Sequence, residues 1–398
     1  MRAEKVREEF PVLRKWIYLN TASQGLIPKR TFKKLLEPIS VQEKGELLDI
    51  HLEEKIPMDA RRQVAKLIGA HPDEIALMTS TTPGLKVALL MINLTEKDEI
   101  LSFDLEFPGV SSVIESYARF KGCKVKVVKH RNGFYLPEDL EKKISERTKV
   151  IVSSSVQWVN GLKMDLKFLR EIADKCGAYL ILDSIQHVGS IYFNVNDVKP
   201  DFVAVGGEKW LLSPWIGVGF LYVSRSILNE LDFPCYGLIN RDRPPEGWEK
   251  YWPKIDKEPW KLSSPCSKAS KLEWGGTPPI APISAFAESV RLLNEIGIEK
   301  IHCHNLKLKE KLVEELVEYG ATIVSYTEDK DSWSSITTFR FHRDFEKDLI
   351  IARKLREKGI VVSVRGCSNI GGIRVSPHFY NTEEDIEKLV EGLRKLRP

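Results

Sequence analysis

Cysteine is scarce: six residues in 398, at positions 123, 176, 235, 266, 303 and 367, with no Cys-x-x-Cys pair among them. That spacing excludes a disulfide scaffold and a cysteine-rich zinc module, and it sets the expectation of reduced thiols in a cytoplasmic protein. No apolar run approaches the length of a membrane span. The opening stretch from Met1 to Phe10 is charged and lacks the apolar core of a signal peptide. Charge of one sign is also missing. Sixty basic against 56 acidic residues leave a net +4, so no nucleic-acid or membrane footprint is expected. His302-Cys303-His304 invites a metal reading, but neighbouring side chains on a helix diverge and no further ligand cluster lies nearby. No metal site is expected.

What is present is a globular chain, 42% hydrophobic and too long for one simple core, which suggests two domains sharing an interface. Short apolar runs alternate with amphipathic helical stretches from 75 to 223, with strands expected at 99–103 and 124–128 around a helix at 108–121. This alternation predicts an α/β fold, a mostly parallel sheet with helices on both faces. A further helix at about 281–296 is expected to lead into a smaller α+β C-terminal domain. The division read from the sequence is a helical segment at 1–16 packing with the small domain, a large domain at 17–285, and a linker helix plus small domain at 286–398.

Two stretches carry the chemistry. Phe202 to Val205 reads as a buried strand, followed by Gly206-Gly207, Glu208-Lys209 and a second strand ending at Val223. A lysine between two buried strands is costly to desolvate unless it has a task, and burial lowers its pKa, which suits an imine-forming amine. Upstream, Tyr179 to Leu182 forms a short apolar strand with Asp183 at its C-terminal end and Gln186 three residues on. Ligands of open α/β sheets bind at such strand ends. An aspartate there can pair with a protonated pyridine nitrogen, as in sites for pyridoxal 5'-phosphate (PLP). A third stretch, Thr79-Ser80-Thr81-Thr82-Pro83-Gly84, ends a strand in hydroxyls and opens a helix, an arrangement suited to a phosphate.

The strand-end aspartate, the glutamine and the strand-flanked lysine together resemble the class V aminotransferase family of PLP enzymes, from about Tyr18 to the C-terminus. The nearest branch is that of cysteine desulfurases, selenocysteine lyases and isopenicillin N epimerase-like proteins. The resemblance implies a type I PLP-dependent transferase fold. It implies that Lys209 holds PLP as a Schiff base and moves protons at Cα, that Asp183 keeps the pyridine nitrogen protonated, and that Gln186 bonds the phenolic oxygen. Phe107 would stack on the ring, where the desulfurase branch has a histidine. Thr81 and Thr82 would hold the phosphate, helped by Thr277 from the second subunit of a homodimer with shared sites. Asn20 lies in a turn that lines the substrate side, and Trp158 stands where desulfurases have an asparagine.

Arg374, in an Ile-Arg-Val-Ser strand, would clamp the substrate α-carboxylate. Glu208 replaces the usual histidine before the lysine, and Gly206 a serine that helps bind phosphate. Cys367 lies near the place of the desulfurase sulfur-carrying thiol, but only seven residues separate it from Arg374 and the desulfurase loop is longer. The Pro- and Trp-rich stretch 233–273 loses all periodicity and is expected to be functional or interfacial.

The implied activity acts on the Cα-amino group of a small L-amino acid, desulfurase-like or epimerase-like, with a sulfur acceptor if it is a desulfurase. A class V aminotransferase using a keto-acid acceptor is the alternative, and a catalytically silent PLP-fold binding protein is the reading from another class.

Overall fold

Short, continuously apolar strands build the centre of the main sheet. The computed structural model describes residues 6–46, 50–215 and 217–396. In chain order the elements are β1 (Ile17–Tyr18), α1 (Lys29–Glu43), α2 (Ile50–Ile68), β2 (Ile75–Met78), α3 (Thr81–Met91), β3 (Glu99–Phe103), α4 (Pro108–Lys121) and β4 (Lys124–Val128). They continue with β5 (Thr148–Ser154), α5 (Leu166–Cys176), β6 (Tyr179–Asp183), β7 (Phe202–Gly206) and β8 (Gly219–Val223).

Seven of these strands form one sheet in the order β2-β8-β7-β6-β5-β3-β4. Neighbours from β7 through β4 run parallel, while β8 is antiparallel to both β7 and β2. Leu180, Leu182, Val203 and Val205 point into the core on one face, and Ile181, Phe202 and Ala204 into the core on the other. A strand buried on both sides needs such an unbroken apolar run. Edge strand β4 differs, with Lys124 exposed and Lys126 paired to Glu99 at 2.7 Å, which blunts an otherwise open edge. Gly84 lets α3 approach the sheet closely, since a Cβ there would lie 3.1 Å from Ala204 Cβ.

Helix α6 (Ile280–Ile296) packs on α1, where Thr31 and Ser289 share a hydrogen bond at 2.8 Å. Beyond it come α7 (Ile298–Glu318), β9 (Thr322–Ile323), β10 (Thr337–Arg340), α8 (Phe345–Glu357), β11 (Ile360–Val361), β12 (Ser363–Cys367), β13 (Ile370–Val375) and α9 (Glu383–Arg394). Strands β12-β13-β10-β9 form an antiparallel sheet. Strand β1 pairs in parallel with β11, and Leu19 just after it is buried in the core of this C-terminal unit. The N-terminal strand therefore ties the two ends of the chain together.

Of the expected helical segment at 1–16, residues 1–5 lie outside the described residues, and Pro11–Arg14 form a 3-10 turn. Arg7 bonds Asp385 at 2.9 Å, and Phe10 meets the Tyr380 ring at 4.7 Å. Stretch 233–273 contains a short α-helix, Trp248–Tyr251, with Trp248 stacked on Trp252 at 5.5 Å, and two 3-10 turns, Leu238–Asn240 and Ala269–Leu272.

Candidate active site

The C-terminal ends of β3, β5, β6 and β7 open toward one place, the usual ligand edge of a parallel sheet. Lys209 follows β7 and is partly buried, its Nζ 5.5 Å from the centre of the Phe107 ring. Burial pushes its pKa down. Asp183 and Glu208 pull it back up, and Arg374 and Arg365 push it down further.

Asp183 closes β6 and is 4% exposed. Its Oδ1 accepts from the Ile185 N–H at 3.0 Å, while burial raises the carboxyl to about 6. Gln186 is fixed at both ends: its Nε2 donates to the Ala22 carbonyl at 2.9 Å, and its Oε1 accepts from Trp210 Nε1 at 2.8 Å. One amide N–H of Gln186 remains to be used.

Thr81 begins α3, and its buried Oγ1 has no hydrogen-bond partner among the described residues. An orphaned hydroxyl at the first turn of a helix, beside free backbone N–H groups, is an arrangement that an anion completes. Thr82, next along the turn, is partly buried. Phe107 caps α4 and presents its ring edge-on to Trp158 at 5.4 Å. Thr277 lies exposed in the turn before α6.

From the C-terminal sheet, Arg374 on β13 is 1% exposed. Its guanidinium donates to the Trp158 carbonyl and to Ser23 Oγ, both at 2.7 Å, and burial draws its pKa down to about 9. Asn20 bridges to Ser376 beside it, with a buried Oδ1 that has no partner among the described residues.

Cys367 closes β12 in a two-residue hairpin through Ser368 and Asn369, whose φ values of 46° and 68° are both left-handed. Its Sγ points to the Asp104 carbonyl at 3.5 Å, and Ser368 Oγ donates to the same oxygen at 2.7 Å. The turn is tight and anchored. His302 and His304 are spent separately, on the Tyr192 N–H and the Asn381 carbonyl.

Sequence reasoning assigned no role to Glu106 or Ser23. Glu106 is 5% exposed and accepts from the Ser154 N–H at 2.8 Å and from the Ser154 hydroxyl. Ser154 is paired with Asp183 across β5 and β6, so the two carboxylates sit one strand apart. Burial raises the Glu106 carboxyl to about 7, and Asp183 adds to the rise. The available signal was position: Glu106 stands at a strand end beside Phe107.

The class-V aminotransferase family model ("Aminotransferase class-V") matches residues 48–389. The chain belongs to that family. Its cofactor is PLP, and the residues present fit it: an amine with a lowered pKa, a buried carboxyl near that amine, an exposed aromatic face and an orphaned hydroxyl at a helix start. The chain is 27% identical to the "Uncharacterized aminotransferase YcbU" of Bacillus subtilis, covering 98% of this chain and 97% of that one. It is 28% identical to a "Probable cysteine desulfurase" of Aeropyrum pernix, over 98% and 97% of the two chains. The fold is that of the cysteine desulfurase from Thermococcus onnurineus, with a TM-score of 0.85, 22% identity and coverage of 100% and 98%. Among the described residues, no helix of this class-V protein is long and apolar enough to cross a membrane.

Proposed function

We propose that the protein removes the Cα proton of a small L-amino acid and releases a group from Cβ, a carbon–sulfur lyase reaction in which Cys367 does not carry the sulfur. Bound PLP supplies the electron sink for the pair left on Cα. Lys209 holds the cofactor and, once displaced by the substrate amine, takes the Cα proton on Nζ; its burial favours the neutral base. Asp183 would hold a proton on the pyridine nitrogen. Thr81 and Thr82 bind the phosphate, joined by Thr277 from a second copy of the chain. The spare N–H of Gln186 would serve the phenolic oxygen, and Phe107 would supply an aromatic face to the ring. Phenyl adds dispersion but relays no proton.

Arg374 binds the α-carboxylate, with Asn20 and Trp158 bounding the substrate side. The observation that carries this reading is the setting of Lys209, an amine 5.5 Å from the centre of an aromatic ring and within electrostatic reach of Asp183, Glu208, Arg374 and Arg365.

The test is an amino-acid screen on PLP-loaded protein that follows cofactor absorbance and assays sulfide, pyruvate and ammonia. Amino-acid-dependent spectral change with sulfide release supports the lyase reading. Turnover that requires a keto acid makes the chain an aminotransferase, the second reading, which the description of the Bacillus relative favours. Absorbance unmoved by every amino acid makes it a silent binding protein.

A further inference from the structure

Three strands of the main sheet end side by side in the order β6-β5-β3, with a carboxyl at the end of each outer one. Asp183 closes β6, and Glu106 lies just beyond β3. Ser154, the last residue of β5, sits between them. It is the register partner of Asp183, and both its N–H and its hydroxyl bond the Glu106 carboxyl, the N–H at 2.8 Å. Ser155, the next residue, donates its N–H to the Asp183 carbonyl at 2.9 Å. The end of β5 is thus bonded to Glu106 on one side and to Asp183 on the other.

Both carboxyls are almost dry, Glu106 5% and Asp183 4% exposed. Asp183 has the Lys209 amine within electrostatic reach and accepts the Ile185 N–H at 3.0 Å. Glu106 has no cation among the described residues. Its partners are Ser154 and the Gln157 amide at 3.4 Å, and the charge that acts on it is that of Asp183. The other groups facing the pair are Glu208, on the Asp183 side, and the buried Tyr135 phenol, bonded to Asp104, on the Glu106 side. Two desolvated carboxyls that share one cation do not both ionise freely, and the proton belongs on the one without the cation. A protonated Glu106 loses no bonding, since its O–H can donate to the Ser154 hydroxyl while its other oxygen accepts the Ser154 N–H.

We infer that Glu106 is a positioning residue that acts through Asp183: the two carboxyls are one coupled pair, and Glu106 gives its proton to solvent when Asp183 gains a cationic partner such as the protonated ring nitrogen of PLP. The negative charge left on Glu106 then helps that partner keep its proton. Such coupling is reciprocal, so an ionised Glu106 strengthens retention of the cofactor. This rests on the reading of Asp183 as the partner of the PLP ring.

The test is fluorescence titration of cofactor-free wild type, Glu106→Gln and Glu106→Asp with PLP, at about pH 5.5 and about pH 8. Glu106→Gln cannot ionise, so the ratio of wild-type to variant affinity separates this carboxyl from every other titrating group. That ratio is expected to rise at least about threefold from the lower to the higher pH, and Glu106→Asp, which keeps an ionisable carboxyl, to retain part of the rise. A ratio equal at both pH values overturns the inference, because a merely structural glutamate changes affinity alike throughout. Wild type that fails to bind PLP, or binds it without a borohydride-trappable adduct, overturns the PLP reading itself. Should Glu106→Gln not fold, isotope-edited NMR of wild type labelled at the glutamate side-chain carboxyls decides. A carboxyl titrating at about 7 is expected to move down by about one pH unit or more on PLP loading. A titration unmoved by PLP overturns the inference.

Discussion

The Glu208 carboxylate occupies the space that a side chain at Gly206 would need: a Cβ at position 206 would lie 2.5 Å from Glu208 Oε2. The glycine at 206 and the glutamate at 208 are thus one packing solution. Gly206→Ser is expected to cost about 1–3 kcal/mol of unfolding free energy, as overpacking does. Glu208→Ala vacates the space, so the double variant should recover part of the loss, with a coupling on the order of 1 kcal/mol. Urea unfolding of the four proteins measures it. Strict additivity would show that the carboxylate moves aside freely.

Glu106 gives a pH signature. Its carboxyl titrates at 4.5 when unfolded and is raised to about 7 in the fold by burial, with no cation offsetting it. Both states hold the proton below 4.5, so the contribution is most favourable there, and it is lost as pH rises through 7. Glu106→Gln removes this titration. Between pH 5 and 7.5 the stability of wild type relative to the variant should fall, by on the order of 3 kcal/mol at most. Chemical unfolding of cofactor-free protein at the two pH values checks it. A flat difference would mean that the carboxylate is ionised throughout.

Cys367→Ser should leave turnover nearly unchanged, because the thiol is held in a two-residue turn against the Asp104 carbonyl. Steady-state kinetics with L-cysteine provides the measurement. A fall of about tenfold or more, equal to 1.4 kcal/mol of barrier, would restore the sulfur-carrier role.

Phe107→Ala should weaken PLP retention by about 0.5–1.5 kcal/mol, the worth of an aromatic contact. Fluorescence titration of cofactor-free protein with PLP reads this out. Unchanged affinity would place the ring away from the cofactor.

The sheet was legible because strands buried on both faces, such as Phe202–Gly206, must be continuously apolar, and polar residues then mark where they end. Asp183 and the start of α3 were visible for that reason. The antiparallel placement of β8 between β2 and β7 was not, since strand direction leaves no trace in apolar content. The meeting of Arg365 and Arg374 on Ser23 was hidden too, because it joins positions 342 and 351 residues apart. Glu106 reaches Ser154 across 48 positions, and a carboxylate in sequence gives no sign that it will be buried without a cation.

The central claim is that the Lys209 amine is the covalent anchor of PLP. Borohydride reduction of PLP-loaded protein, followed by peptide mass mapping, tests it directly. The account predicts a pyridoxyl mass on the Lys209 peptide that is absent in Lys209→Ala. A reduced adduct that persists in Lys209→Ala, or that maps to another lysine in the wild type, would contradict it.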